Sequence, residues 1–135
     1  MSNDSPRPVA RPTSPHLSVY RWQISNTLSI LHRVSGFAMV VGTALLVLWL
    51  WSAAYSPNYY MKLHKCLGSP LGILLLIGWT GAYYYHLGNG IRHLFWDAGK
   101  GFSILAMNRS GMLVLAFATL MTAATWCFVF GASAQ

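Results

Sequence analysis

Three long runs without a formally charged residue dominate the chain: Val34 to Met61, Cys66 to Ile91 and Ser110 to Gln135. Each exceeds the roughly 20 apolar residues that a helix needs to cross a bilayer. The pattern predicts an all-α integral membrane protein. Three transmembrane helices, over about residues 26–55, 66–97 and 110–131, follow a short extended amino-terminal arm over residues 1–25.

The arm is polar from Met1 to Trp22 and carries Pro6, Pro8, Pro12 and Pro15. Prolines disfavour a continuous helix and suit a segment lying along a partner's surface, while the residues before Arg11 read as a disordered tail. The arm lacks the early apolar core and small-residue cleavage site of a signal peptide. The first span ends in Trp49, Trp51 and Tyr55, the composition of an outer aromatic belt. Ser56 to Lys65 reads as a connection in which nothing has metal-ligand spacing and His64 is solvated. The second span opens near Cys66 with Pro70 in its first turns, where proline is tolerated. Its Gly72, Gly78, Gly81, Gly88 and Gly90 allow close approach of a neighbouring helix or a cofactor. After Asp97, the segment AGKGFSILAMNRS reads as a short interfacial connection. The third span should pack rather than react, its Thr119, Thr122 and Thr125 bonding carbonyls of their own helix.

Only 8% of the 135 residues are charged, against roughly a quarter in soluble domains. Three spans leave no room for a soluble catalytic domain, so any reaction must occur between the helices or in a partner. The net charge of +7 raises the question of nucleic acid, but the basic residues flank the spans and form no stripe. Arg7, Arg11, Arg21 and Arg33 lie at the amino-terminal side, and Arg92, Lys100 and Arg109 surround the second connection, which three spans return to that side. Only Lys62 and Lys65 are opposite. The amino terminus is therefore expected to face the cytoplasm or matrix.

Two stretches carry chemistry. In HLGNGIRHLFWD, helical spacing puts His86, Gly90, His93 and Asp97 on one face. The two histidines are about 10.5 Å apart along the axis, too far for both to ligate one iron. One is a ligand candidate, with Gly90 letting a flat macrocycle approach the backbone; equally, both histidines could contact headgroups at the end of a span. His93 and Asp97, one turn apart, could pair. In SILHRVSG, Ser29, His32, Arg33 and Gly36 share a face, so a hydroxyl, an imidazole and a guanidinium are presented together. An interface arginine explains Arg33 alone but not its company. In the inferred topology both stretches meet near the inner surface. Cys66 and Cys127 fall toward the outer side, and buried small hydrophobes fit them better than a disulfide. Without CxxC or CxxCH, iron–sulfur and covalently attached haem sites are unsupported.

Together with RPTSPHLSVY at Arg11 to Tyr20, these two motifs closely resemble the cytochrome b membrane-anchor subunit of succinate dehydrogenase, respiratory complex II. The resemblance covers essentially the whole chain, and three motifs in register are highly specific. It implies that His86 is an axial ligand of haem b, the second axial histidine coming from a small membrane-anchor subunit. It also implies that His32 and His93 lie near the haem propionates and that Ser29 and Arg33 line the ubiquinone site. The implied partners are the small anchor, the iron–sulfur subunit, the flavoprotein reached through it, and membrane lipid, with no nucleic acid. Succinate oxidation would belong to the flavoprotein, and no activity is expected from this chain alone. The implied location is a bacterial inner membrane, or the mitochondrial inner membrane in a eukaryote. Two rival readings are a haem-free structural anchor and a haem b subunit of another membrane oxidoreductase.

Overall fold

A computed structural model describes Pro15 and residues 17–133. Most of the expected arm, including His16 of the SPH motif, lies outside the described residues. Its described end holds a 3-10 turn, Leu17–Val19, and a hydrogen bond from Asn26 to the Tyr20 hydroxyl.

Four helices follow: α1 (Ile24–Tyr55), α2 (Pro57–Leu67), α3 (Pro70–Asp97) and α4 (Ile104–Ser133). No strand occurs among the described residues. Helices α1 and α4 are each long and apolar enough to cross a membrane, and the bent pair α2–α3 meets the same test taken together, for two to three candidate spans. At 28 residues, α3 alone extends about 42 Å, more than the hydrocarbon core requires.

The connection expected at Ser56 to Lys65 is instead helix α2, turned 79° from α3. Pro57 occupies its first turn, where a missing N–H costs nothing. Tyr60 stacks on His64 at 5.5 Å and tilts against Trp49 at 5.6 Å, so the aromatic belt continues from α1 into α2. Ser69 then caps α3, its Oγ accepting from the Gly72 amide at 3.1 Å. Consequently Cys66 lies in the last turn of α2, before the bend, and the long helix α3 starts at Pro70. Both Cys66 and Cys127 are free and exposed, which corrects the expectation that they are buried. Each lies on a helix side that no other helix of this chain covers.

The turn between α3 and α4 is shorter than expected because α4 begins at Ile104 and takes in Arg109. Gly99, at φ +74°, lets the chain reverse. Its amide donates to the Trp96 carbonyl at 2.8 Å and the Lys100 amide to the Phe95 carbonyl at 2.9 Å, the pair of bonds that closes a helix through a left-handed residue.

The three long helices pack antiparallel, α3 between α1 and α4. The core is small: Leu28 of α1, Tyr85 of α3, and Val114 and Ala118 of α4. The Tyr85 hydroxyl donates to the Leu28 carbonyl at 2.7 Å, and Trp79 Nε1 to the Ala38 carbonyl at 3.1 Å, joining α3 to α1. A side chain at Gly42 would collide with the Trp79 indole, and one at Gly111 with Leu28. Those two glycines, rather than most of the series on α3, set the helix crossings. Of the α3 series, Gly88 packs against Val114 and Phe117, whereas Gly78 and Gly90 face open space. Thr119, Thr122 and Thr125 donate to the carbonyls of Leu115, Ala118 and Met121, as expected. Large apolar side chains such as Phe37, Leu113 and Phe128 remain exposed. In a membrane such surface meets lipid or another helix without cost.

Candidate functional site

Antiparallel packing brings the start of α1 against the end of α3, so the two chemical stretches meet. The His32 ring stacks on His86 with centroids 4.1 Å apart and planes 13° apart. His93 lies on the other side, 5.1 Å from His32. One imidazole from α1 thus sits between two from α3, which explains how residues a full two turns apart belong to one site. Gly36 makes the approach possible: a Cβ there would stand 3.2 Å from His86 Cε1. His32 Nδ1 is buried and has no hydrogen-bond partner. A buried imidazole nitrogen left unpaired is costly, and such groups in native proteins generally mark a ligand or water position.

Ser29 and Arg33 are both exposed, one step round α1 from the His32–His86 contact. They flank the histidines on the uncovered side of the helix. The expected pairing of His93 with Asp97 is not formed. His93 turns toward His32 and meets Trp96 edge-on at 4.9 Å, and Asp97 is exposed. Packing against two aromatic rings outweighs an exposed ion pair that water would screen.

Two features escape the sequence reading. Ser35, 5% exposed, places its Oγ 2.8 Å from the His32 carbonyl and 3.0 Å from His86 Nδ1. It adjoins Gly36 in SILHRVSG but lies off the face that the other four residues share, so helical spacing gave no reason to select it. Arg92 reads in the sequence as a topology-setting charge. It is buried, with Nε donating to Ser110 Oγ at 2.9 Å, Nη1 to Asn89 Oδ1 at 3.1 Å and Nη2 to the Met107 carbonyl at 2.9 Å. Its guanidinium also lies over the Trp96 ring, 4.2 Å from the centroid. The only legible trace was Asn89 at i−3.

Arg92 therefore clamps α3 to the first turns of α4 and supports the Trp96 ring against which His93 rests. Each hydrogen bond to a charged group contributes about 1.5–3 kcal/mol, and removal leaves the buried Asn89 Oδ1 unpaired. Arg92→Leu should destabilise the helical domain by about 3 kcal/mol or more. It should lower the thermal midpoint of the assembled, detergent-solubilised complex, whereas Arg109→Leu should leave it unchanged. An unaltered midpoint in Arg92→Leu would show that the clamp carries no stability.

Three imidazoles, a hydroxyl and a guanidinium on an open helix face form a binding surface, not a closed pocket. Among the described residues no group of three or more His, Cys, Asp or Glu side chains could hold a metal ion by itself. Comparison with known proteins gives this arrangement a family. The family model for the succinate dehydrogenase/fumarate reductase transmembrane subunit matches residues 7–125. The succinate dehydrogenase cytochrome b556 subunit of Rickettsia felis is 47% identical over 116 residues, covering 86% of this chain and 90% of the relative. That of Paracoccus denitrificans is 38% identical over 115 residues, covering 85% and 88%. The mitochondrial cytochrome b560 subunit of Sus scrofa is 40% identical over 115 residues, covering 82% and 66%. The match contains both stretches that meet in the structure, and this multi-pass membrane chain belongs to the family of succinate dehydrogenase/fumarate reductase transmembrane subunits, as a cytochrome b anchor of succinate dehydrogenase.

Proposed function

We propose that this chain binds haem b through His86, shares it with a small membrane-anchor subunit, and forms part of a ubiquinone-reduction site with Ser29 and Arg33. The observation that carries the reading is the convergence of His32, His86 and His93 from two helices into one cluster of rings.

The residues present fit a b-type haem. Beside His86, Gly90 faces space in which a Cβ would meet nothing within 4 Å, so a flat ring has access to the α3 backbone. The unpaired Nδ1 of His32 would donate a hydrogen bond to a propionate carboxylate, or accept one from water. His93, exposed one turn beyond Gly90, would make a further propionate contact. His86 would be the iron ligand from this chain, and the small anchor subunit would supply the second histidine. When bound, such a haem supplies one-electron transfer without an open position for oxygen.

At the quinone, the chain's own residues orient the substrate and offset charge. Ser29 donates a hydrogen bond to one carbonyl oxygen. The Arg33 guanidinium stabilises negative charge developing on a quinone oxygen by hydrogen bonding and charge. Protons come from water, which the exposed position of both residues admits. The iron–sulfur subunit docks on the same inner face, and the flavoprotein joins through it.

The orientation is part of the proposal: the start of α1 and the turn between α3 and α4 face the cytoplasm or matrix. With Arg92 buried, Arg21, Arg33, Lys100 and Arg109 among the described residues still outnumber Lys62 and Lys65. Protease added to the outer side of intact membranes should leave the segment before Trp22 uncut. Trimming from that side would reverse the assignment.

The function itself is tested by a reduced-minus-oxidised absorption spectrum of the purified assembly, with its co-purifying chains identified. A b-type band together with flavoprotein and iron–sulfur chains is expected. Those chains without the band would leave a haem-free anchor, and the band with other soluble chains would indicate a different oxidoreductase.

A further inference from the structure

We propose that Ser35 is a positioning residue that sets the tautomer and the ring orientation of His86. The inference deepens the reading of His86 as an iron ligand and rests on it.

A serine hydroxyl has one proton and two lone pairs. Ser35 Oγ has two neighbours within hydrogen-bond distance: the His32 carbonyl at 2.8 Å and His86 Nδ1 at 3.0 Å. A carbonyl oxygen only accepts, so the single proton of Ser35 is committed to it, as in the usual serine back-bond to the preceding turn of its own helix. Toward His86 the hydroxyl then presents a lone pair. Nδ1 must carry the hydrogen, since otherwise two acceptors would face each other in a buried contact. The neutral ring with its proton on Nδ1 leaves the Nε2 lone pair free, and that is the nitrogen available to iron.

Orientation follows from the same contacts. The ring is held flat against His32 at 4.1 Å, lies so close to Gly36 that a Cβ there would stand 3.2 Å from its Cε1, and is tethered at Nδ1 by a serine that is itself buried. Rotation about the ring's bond to Cβ would break the tether. Hydrogen bonding to the far nitrogen of a ligating histidine also raises its electron donation to the metal, and losing such a partner typically costs about 10–100-fold in metal affinity.

The assembled complex carrying Ser35→Ala should therefore lose haem about tenfold more readily than the wild type, at the low end of that range. The haem that remains should have a higher midpoint potential, because a less electron-rich imidazole favours the ferrous state. A tenfold change in the ferric–ferrous equilibrium corresponds to about 59 mV for one electron. Ser35→Thr keeps the hydroxyl and its back-bond and should hold the wild-type potential. Bound haem of unchanged potential in Ser35→Ala would overturn the proposal. If Ser35→Ala does not assemble, restoration of haem and potential by Ser35→Thr supports it. Failure of both variants to assemble would make Ser35 a packing residue and overturn it. His86→Ala, measured alongside, separates the two levels: an intact spectrum there removes His86 as ligand, whereas loss of the spectrum with silent Ser35 variants removes only the role of Ser35.

Discussion

Replacing His86 by alanine should eliminate most of the b-type absorption of the assembled complex, while His64→Ala should leave it unchanged. The contrast follows from position. His86 lies on α3 against His32 and Gly36, with its Nδ1 tethered to Ser35. His64 is exposed on α2, stacked only on Tyr60. No CxxCH motif is present to attach the cofactor covalently. Retention of a haem would therefore depend on ligation and on the surrounding contacts, and alanine at 86 removes the ligand proposed for this chain. Whatever haem remains should show a five-coordinate spectrum, because only the ligand proposed for the small anchor would be left. His32→Ala and His93→Ala should shift the band or the potential less severely, since neither is proposed to touch iron. An unchanged spectrum in an assembled His86→Ala complex would sink the assignment. Loss of assembly would be read with His86→Gln, which keeps bulk and polarity and should restore the complex but not the wild-type spectrum.

The second large effect is expected at the electron exit. Arg33→Ala should severely impair ubiquinone reduction while succinate oxidation by a water-soluble artificial acceptor stays largely intact, because that acceptor draws electrons upstream of the membrane. Removing one preorganised donor from a dry oxyanion site costs about 2.7–4 kcal/mol, or 10²- to 10³-fold in rate. Ser29 is exposed on its helix, and water partly replaces its hydrogen bond. Ser29→Ala should therefore fall below that range. Arg33→Ala removes both a charge and a donor and should be the worse of the two. Arg33→Lys discriminates between causes: rescue points to a field effect, and poor rescue to the planar fork of the guanidinium. Haem content must be followed in parallel, since Arg33 is next to His32 in the chain. Normal quinone reduction in both alanine variants, with the complex assembled, would remove this face from the quinone site.

Both predictions concern a surface that is complete only when other subunits cover it. His93, Ser29 and Arg33 are exposed, and so are many large apolar side chains along α1 and α4. For a single soluble chain such exposure would be anomalous. For one subunit of a membrane complex it is the material from which the next interface is made.

Fold class and the pairing of the two motifs could be read from residue order because they depend on local rules. A run longer than the bilayer is thick has to be a helix, and with three runs the start of the first and the end of the second fall on the same side. His32, His86 and His93 were selected on spacing alone, and they do converge. The amphipathic helix α2 was missed because eleven residues with two lysines and a histidine give a weak helical signal; Pro57 and the Gly68–Ser69 break were the readable marks. What residue order could not decide was rotation. Helical periodicity places residues relative to one another round an axis, but it does not say which side another helix covers. That choice came from the crossings at Gly42–Trp79 and Gly111–Leu28, made by residues far apart in the chain. It turned Arg92 inward as a clamp, turned His93 away from Asp97, and put Ser35, outside the shared motif face, within a hydrogen bond of His86.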